Sequence, residues 1–313
     1  MTTIDHFSYT NRPTEELFYQ RGDPNDRRLG EIVGCEPTNY DAAQIVILGC
    51  PQDEGVKRNK GRLGAAAAPD TIRSFLYKLA LEVSEGVIFD LGNAQIQATL
   101  EETHTLHQQI VENLLRDGKT LIVLGGGNDL SYPDCAGVAT VHPDPLTFNI
   151  DAHFDVRADV PRNSGTPYRQ LLEEKHIQAD RFYEMGSQPQ ANSAVYTKYL
   201  TEQGVRVHDL EALRRAGINT MFRAILNESE AEAIFWGLDM DSVRASDAPG
   251  VSAPSPIGLT GEEFCKIAAI AGEDSRSKLF EITEVNPKFD IDDRTSRLAA
   301  IAIWHFLATA SQN

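Results

Sequence analysis

The sequence predicts an α/β fold in which helices cover both faces of a mostly parallel, about eight-stranded sheet. Short apolar runs rich in β-branched and aromatic residues recur along the chain, and most gaps between them can hold a helix. Hydrophobic residues make up 41% of the 313, enough for a substantial core. Strands and helices that alternate through right-handed crossovers form parallel sheets covered on both sides. We therefore expect a three-layer α/β/α sandwich.

Eight of the apolar runs are predicted to be buried strands, because each is short, continuous and bounded by turn residues. They span residues 45–49, 87–90, 120–124, 146–150, 182–186, 205–208, 233–238 and 279–282. Amphipathic helices are predicted over residues 101–117, 260–271 and 292–310. Residues 1–40 are interpreted as a polar N-terminal lead-in. Residues 41–313 are predicted to form a single α/β domain, because no repeat or low-complexity linker interrupts them.

Charge and composition exclude several classes of partner. The chain has 46 acidic and 29 basic residues, a net charge of −17, which repels nucleic acid and anionic membrane surfaces. Its N-terminus lacks a basic segment followed by an apolar one, and no run approaches the roughly 20 apolar residues of a membrane span. Cys35, Cys50, Cys135 and Cys265 have no CxxC spacing and are expected to be reduced thiols. We expect a cytoplasmic protein.

Clusters of acidic residues follow three of the predicted strands. They are Asp151, His153 and Asp155 after the fourth strand, Asp239 and Asp241 after the seventh, and Glu284 after the eighth. Ligand sites in open α/β sheets form at the carboxyl ends of strands, and alternate side chains share a face if the strand stays extended. Carboxylates with one imidazole suit Mn²⁺, and two ions that share carboxylates can activate water. Helix caps and loop carboxylates are the alternative, but the joint placement favours a hydrolytic metal site.

Other motifs give weaker indications of function. The glycines of LGGGNDL lack both the GxGxxG spacing and the GKS or GKT ending of nucleotide loops. The DMDSV segment superficially resembles the aspartyl nucleophile of haloacid-dehalogenase phosphatases, where the motif follows the first strand instead. His104 and His107 lie three residues apart on a predicted helix, and we interpret them as solvated side chains rather than metal ligands.

A basic loop follows the first predicted strand. Arg58, Lys60 and Arg62 lie within DEGVKRNKGRLGA, an unusual cluster in so acidic a chain. At this edge of the sheet they could bind the carboxylates of a substrate, since arginine pairs carboxylates in a bidentate manner. Surface ion pairs are the alternative for each of them. Arg157, directly after DAHFD, is a further candidate.

These motifs resemble the ureohydrolase family of arginases, agmatinases and formimidoylglutamases. The family pattern has a GGxH-type turn, DAHxD, SxDxDxxxP and ExNP in that order, and this chain has GGGND, DAHFD, GLDMDSV and EVNP. DEGVKRNKGRLGAA, NSGTPYRQLL and APGVSAPSP resemble formimidoylglutamases in particular. Ser164, in NSGTP, stands where arginases place a histidine near the guanidinium substrate, which argues against an arginase. The resemblance extends over residues 45–307.

The resemblance implies an arginase-like fold and the hydrolysis of an amidine C–N bond. The substrate it implies is N-formimidoyl-L-glutamate, cleaved to L-glutamate and formamide in histidine degradation, with two Mn²⁺ ions as cofactor. It also implies no further cofactor and allows a homo-oligomer.

The resemblance assigns roles to individual residues as well. Asp151 and Asp239 would bridge both ions, His153 and Asp241 would complete the second metal site, and Asp155 would bind the first. Asp155 would also relay a proton to the departing amino group, and Glu284 would orient the amidine nitrogens. The residues expected to bind the rest of the substrate are Arg58, Lys60, Arg62, Arg157 and Ser164.

One residue departs from the family pattern. Where the family turn supplies a histidine to the first metal, this chain has Asn128, followed by Asp129. An amide oxygen is a weaker donor to a transition metal than an imidazole nitrogen, so the first site is expected to bind less tightly, and Asp129 is an alternative ligand. Three readings stay open beside the leading one: a single-metal enzyme, a hydrolase of another guanidino or amidine compound, and a metal-poor, catalytically silent homologue with a binding role.

Overall fold

A computed structural model describes residues 4–82 and 86–310, and a nine-stranded sheet runs through the middle of this part of the chain. The strands are β1 (Thr10–Asn11), β2 (Ile45–Gly49), β3 (Ile88–Ala94), β4 (Thr120–Leu124), β5 (Leu146–Ile150), β6 (Phe182–Ser187), β7 (Arg206–Asp209), β8 (Ile234–Asp239) and β9 (Ser277–Thr283). Their order across the sheet is β1-β3-β2-β4-β9-β8-β5-β6-β7. All neighbours are parallel except β1 and β3.

Helices flank the sheet, as the alternating pattern predicts. They are α1 (Glu54–Arg58), α2 (Ala68–Leu76), α3 (Leu100–Arg116), α4 (Ser131–Val141), α5 (Pro167–Glu173), α6 (Ala194–Gln203), α7 (Leu210–Ala216), α8 (Ile218–Glu228), α9 (Gly261–Glu273) and α10 (Arg294–Ala310). Thr99 and Thr260 begin α3 and α9 with capping boxes, because each hydroxyl accepts from the third residue of its helix. None of the helices in the described parts of the chain is long and apolar enough to cross a membrane.

The side chains of the strands alternate between two apolar layers. Ile45 and Ile47 of β2 belong to one layer, with residues of α2, α8, α9 and α10, whereas Val46 and Leu48 belong to the other, with residues of α3, α4 and α5. Burial on both faces explains why the parallel strands are continuous apolar runs. The predicted three-layer sandwich is confirmed.

The N-terminal segment adds to this sandwich. Strand β1 is two residues long and pairs with β3, with Thr10 opposite Ala94, which makes it the ninth strand. A two-residue strand is too short to produce a periodic pattern, so the sequence did not reveal it. Leu29, in the segment expected to be a polar lead-in, is fully buried in one of the two apolar layers.

Register places the site at one edge of the sheet. The four central strands are in register near their carboxyl ends: Leu124 of β4 lies opposite Ile282 of β9, which lies opposite Leu238 of β8, which lies opposite Ile150 of β5. The loops that follow these four strands therefore leave the sheet at the same level. Residues that follow strands far apart in the chain therefore lie close together at the carboxyl edge of the sheet.

Candidate active site

Two short turns hold the DAHFD and DMDSV segments. The backbone N–H of His153 donates to Asp151 Oδ1 at 2.7 Å, and the backbone N–H of Asp241 donates to Asp239 Oδ1 at the same distance. An aspartate that accepts from the amide two residues later forms an Asx turn. The sequence predicted a shared face for the three DAHFD side chains on the condition that the strand stays extended. The strand instead ends at Ile150, and the turn is what brings the side chains together.

Two groups of side chains in these turns could each hold a metal ion. One consists of Asp151, His153 and Asp241, and the other of Asp151, Asp155 and Asp239; within each group the candidate ligand atoms lie within 4.8 Å of one another. Asp151 belongs to both groups. Oxygen ligands with a single imidazole nitrogen are a donor set suited to Mn²⁺.

The donor atoms fit a cation because they lack other partners. Asp151 Oδ2, Asp241 Oδ1 and Glu284 Oε2 are buried and accept no hydrogen bond from the described residues. Burial and the neighbouring carboxylates raise the pKa of Asp151 and Asp239 well above the usual range. The carboxylate of Asp241 is the main reason that the pKa of His153 is raised. A metal ion would replace the His153 proton and offset the carboxylate charge.

Two candidate catalytic residues have a strained backbone. Asp155 has a φ of 47° and Glu284 a φ of 62°, in the left-handed region that residues other than glycine rarely adopt. Burial also raises the pKa of Asp155 to about 6. For Glu284, a hydrogen bond from its backbone N–H to the Gly126 carbonyl, at 2.8 Å, holds the residue beside the GGGND turn. Asp155 belongs to one of the metal-ligand groups, and Glu284 lines the same cavity as these ligands.

Asn128 presents its amide nitrogen, rather than its oxygen, to this centre. Its Nδ2 donates to Asp155 Oδ2 at 2.7 Å, and its backbone N–H donates to Glu284 Oε1 at 3.0 Å. The amide oxygen accepts from the Ser131 and Thr283 hydroxyls at 2.9 and 2.8 Å. Ser131 and Thr283 fix the orientation of the Asn128 amide, and sequence reasoning identified neither of them. Their sequence signal is weak, since a hydroxyl beside a motif is common.

Asp129 faces away from the candidate metal ligands. Its Oδ2 accepts from Gln52 Nε2 and bonds with His104 Nε2, both at 2.7 Å, so it is held towards α3. The expectation that His104 and His107 are solvated is wrong, because both are buried where α3 packs on α4. His107 bonds with Asp134 Oδ1 at 2.7 Å. The two histidines contact different carboxylates and do not form a metal pair.

A cavity of about 290 Å³ opens above the carboxylates. Its floor includes Asn128, His153, Asp155, Asp239, Asp241 and Glu284. Lys60, Arg157 and Ser164 line its walls. Among the described residues, the side chains of Lys60 and Arg157 have no hydrogen-bond or ion-pair partner, so their charges are available to a ligand. The volume is typical of a site for a small metabolite.

The structure does not bring the other two cations of the basic loop into this cavity. Arg58 pairs with Glu101, with Nη1 to Oε1 at 2.6 Å and Nη2 to Oε2 at 3.1 Å. Arg62 donates from Nε to the Ser252 carbonyl at 3.1 Å, and its guanidinium lies 4.4 Å from the centre of the Phe289 ring. Of the three predicted loop cations, Lys60 is the one that lines the cavity.

A model of the arginase family matches residues 43–309. This chain belongs to the arginase family. Formimidoylglutamases of Rhodococcus jostii and Klebsiella pneumoniae are 34% and 32% identical to it. The first alignment covers 83% of this chain and 85% of that protein, and the second covers 83% and 84%.

Solved structures of arginase-family proteins agree with this assignment. The Trypanosoma cruzi formiminoglutamase with Mn²⁺ has a TM-score of 0.86 and 31% identity, covering 92% of this chain and 99% of that one. The Bacillus subtilis formimidoylglutamase has a TM-score of 0.88 and 27% identity, covering 94% and 95%. The predicted arginase-like fold is confirmed, and the chain is a formimidoylglutamase-like hydrolase of the arginase family.

Proposed function

We propose that this protein hydrolyses N-formimidoyl-L-glutamate to L-glutamate and formamide, with two Mn²⁺ ions at the shared carboxylate centre. One observation carries the proposal: two metal-ligand groups that share Asp151 lie at a small cavity. The same cavity is lined by two cationic side chains, Lys60 and Arg157, that have no partner among the described residues. The relatives named formimidoylglutamase support the same substrate. A cytoplasmic location and a homo-oligomer stay predictions.

The carboxylate centre would hold the cofactor. Asp151, His153 and Asp241 would bind one ion, and Asp151, Asp155 and Asp239 the other. Manganese bound there would supply Lewis-acid activation of water. The turns that fix Asp151 and Asp239 keep these ligands in place without substrate, which lowers the reorganisation needed during the reaction.

Two residues would act on the amidine itself. Glu284 Oε2 is buried and unpartnered within the described residues, so it can accept an N–H of the formimidoyl group and orient its carbon. Asp155 would carry a proton to the departing nitrogen, which leaves as the amino group of glutamate. Asn128 keeps Asp155 in position through the 2.7 Å bond to its Oδ2. Water adds to the formimidoyl carbon, the C–N bond to glutamate breaks, and formamide is the second product.

The glutamate part of the substrate would be recognised by charge. Lys60 and Arg157 line the cavity and have no partner in the described chain, so they would pair with the two carboxylates of the substrate. Ser164, whose hydroxyl accepts from Asn59 Nδ2 at 3.0 Å, can donate its own hydrogen to the ligand. A substrate with two carboxylates suits this wall better than arginine or agmatine, whose cationic groups Lys60 and Arg157 would repel.

The test measures product and metal together. Purified protein is loaded with Mn²⁺, its metal content is determined, and formamide and glutamate release are followed with N-formimidoyl-L-glutamate. Arginine and agmatine serve as comparison substrates, and we expect turnover of the first substrate in clear preference. Equal or higher activity on arginine or agmatine would reject the proposed substrate. If the protein shows neither tight metal binding nor formamide release under saturating Mn²⁺, the catalytically silent homologue is favoured.

A further inference from the structure

We propose that Arg58 is a positioning residue that anchors the loop between β5 and α5, and that it does not itself bind the substrate. This loop comprises residues 151–166. The inference rests on the proposed function, because the loop carries Arg157 and Ser164 into the cavity where the glutamate carboxylates would bind. Arg58 is the last residue of α1 and lies outside that cavity, with its side chain 19% exposed.

Three hydrogen bonds already engage the guanidinium of Arg58. Two parallel bonds join its guanidinium to Glu101 in the first turn of α3, and Nη1 also donates to the Arg162 carbonyl at 3.1 Å. Its Nε lies 3.6 Å from Glu54 Oε1. The bond from Arg58 is the largest cause of the lowered pKa of Glu101, about 2. A paired, multiply bonded guanidinium is a poor receptor for another carboxylate but a strong anchor.

The loop needs an anchor at this point. Residues 157–161 are exposed, and the chain returns to the protein at Arg162, where Arg58 holds the carbonyl. Two residues later, the Ser164 N–H donates to the Gly55 carbonyl at 3.2 Å and its hydroxyl accepts from Asn59. Helix α1 and the residue after it thus hold the returning half of the loop. An exposed segment with few contacts depends on such anchors for its order.

Substitution of Glu101 distinguishes a positioning role of Arg58 from direct binding of the substrate by Arg58. If Arg58 anchors the loop, Arg58→Ala and Glu101→Gln each raise the KM for N-formimidoyl-L-glutamate by about threefold to tenfold, with little change in kcat. The first variant removes the guanidinium that holds the Arg162 carbonyl, and the second removes the ion pair that holds this guanidinium in place. The double variant is then no worse than Arg58→Ala alone. If Arg58 binds substrate directly, Glu101→Gln leaves the KM unchanged or lowers it by releasing the guanidinium. That outcome overturns the proposal.

Lys57→Ala is the matched control for these variants. Lys57 lies beside Arg58 on α1 and pairs with Glu54 at 2.9 Å, and both partners are exposed. Neither side chain has a hydrogen bond or ion pair with the described residues of the loop. Its removal should leave the KM at the wild-type value. An equal increase in KM for Lys57→Ala would mean that any loss of charge on α1 has this effect, and would overturn the anchoring role.

Limited proteolysis tests the anchor without using activity. Trypsin can cut after Arg157 and Arg162, and the resulting fragments are identified by mass. We expect cleavage at these sites to be at least about threefold faster in Arg58→Ala and Glu101→Gln than in wild type and Lys57→Ala, because the loop opens more often. Equal rates in all four proteins overturn the proposal. If the wild type releases no formamide, the proposed function fails, whereas this comparison still decides the role of Arg58.

Discussion

Asn128 donates an amide N–H to Asp155 Oδ2 at 2.7 Å, while its own oxygen is held by Ser131 and Thr283. In this orientation the residue supports a candidate metal ligand and offers none itself, since an amide NH₂ has no lone pair for a metal. The family histidine would place a nitrogen donor at this position. The metal group that contains Asp155 is therefore the one in which the identity of residue 128 matters most.

Asn128→His should raise Mn²⁺ affinity at the group formed by Asp151, Asp155 and Asp239. We expect an increase of about tenfold or more, because an imidazole nitrogen replaces a group that cannot ligate the ion. Titration calorimetry on metal-free protein measures it, with Asn128→Ala as the control that removes the amide without adding a ligand. Similar affinities for the histidine and alanine variants would mean that residue 128 does not reach the ion.

Removing the shared ligand should lower the amount of bound Mn²⁺ more than removing an unshared ligand does. Asp151→Asn alters both metal groups, whereas Asp241→Asn alters the group that includes His153. We expect about one bound Mn²⁺ to remain in Asp241→Asn and almost none in Asp151→Asn, as measured by elemental analysis after dialysis. Asp180→Asn, at an exposed position before β6, is the control. Equal metal content in the two site variants would argue against a shared ligand.

The cationic side chains of Lys60 and Arg157 in the cavity should determine the affinity for the substrate. Lys60→Met and Arg157→Met remove charge while keeping much of the side-chain volume. Each should raise the KM for N-formimidoyl-L-glutamate about tenfold to a hundredfold, as expected for the loss of a charge-assisted hydrogen bond. Steady-state kinetics measures the effect, with Lys57→Met as the surface control. A KM unchanged in both cavity variants would place the carboxylate-binding groups elsewhere.

Asp134 should make stability depend on pH. Burial raises its pKa from 3.8 to about 7, so the folded protein keeps the proton where the unfolded chain has lost it. The stability associated with Asp134 is therefore complete below about pH 4 and is lost as the pH rises through about 7. Asp134→Asn has no such proton, and an amide oxygen can still accept a hydrogen bond from His107.

Relative to wild type, Asp134→Asn should gain about 3 kcal/mol of unfolding free energy between pH 5 and pH 8. Urea denaturation at the two pH values measures it, with Asp180→Asn as the exposed control. The same difference from wild type at both values would contradict a titrating Asp134. Asp134 is a buried residue of α4 and is not among the candidate metal ligands, so the measurement needs neither metal nor substrate.

Local patterns in the sequence predicted eight of the nine strands in the described sheet and the carboxylate motifs at their ends. The strands Ile45–Gly49, Thr120–Leu124 and Leu146–Ile150 have the predicted bounds, because continuous apolar runs are what burial on both faces requires. Contacts of His104, Arg58 and Asp129 were not predictable in the same way. A polar side chain can satisfy its hydrogen bonds with many partners, and its choice depends on which elements pack beside it.

By itself, the sequence determined the alternation of strands and helices, the positions of the aspartates at strand ends, and the replacement of a family histidine by Asn128. Only the tertiary structure decided that Leu124, Ile282, Leu238 and Ile150 lie opposite one another near the strand ends, so that ligands far apart in the chain meet. It also decided that Asn128 donates a hydrogen bond from its amide nitrogen to Asp155. Periodicity and motif are local properties, whereas register and hydrogen-bond choice depend on neighbours distant in the chain.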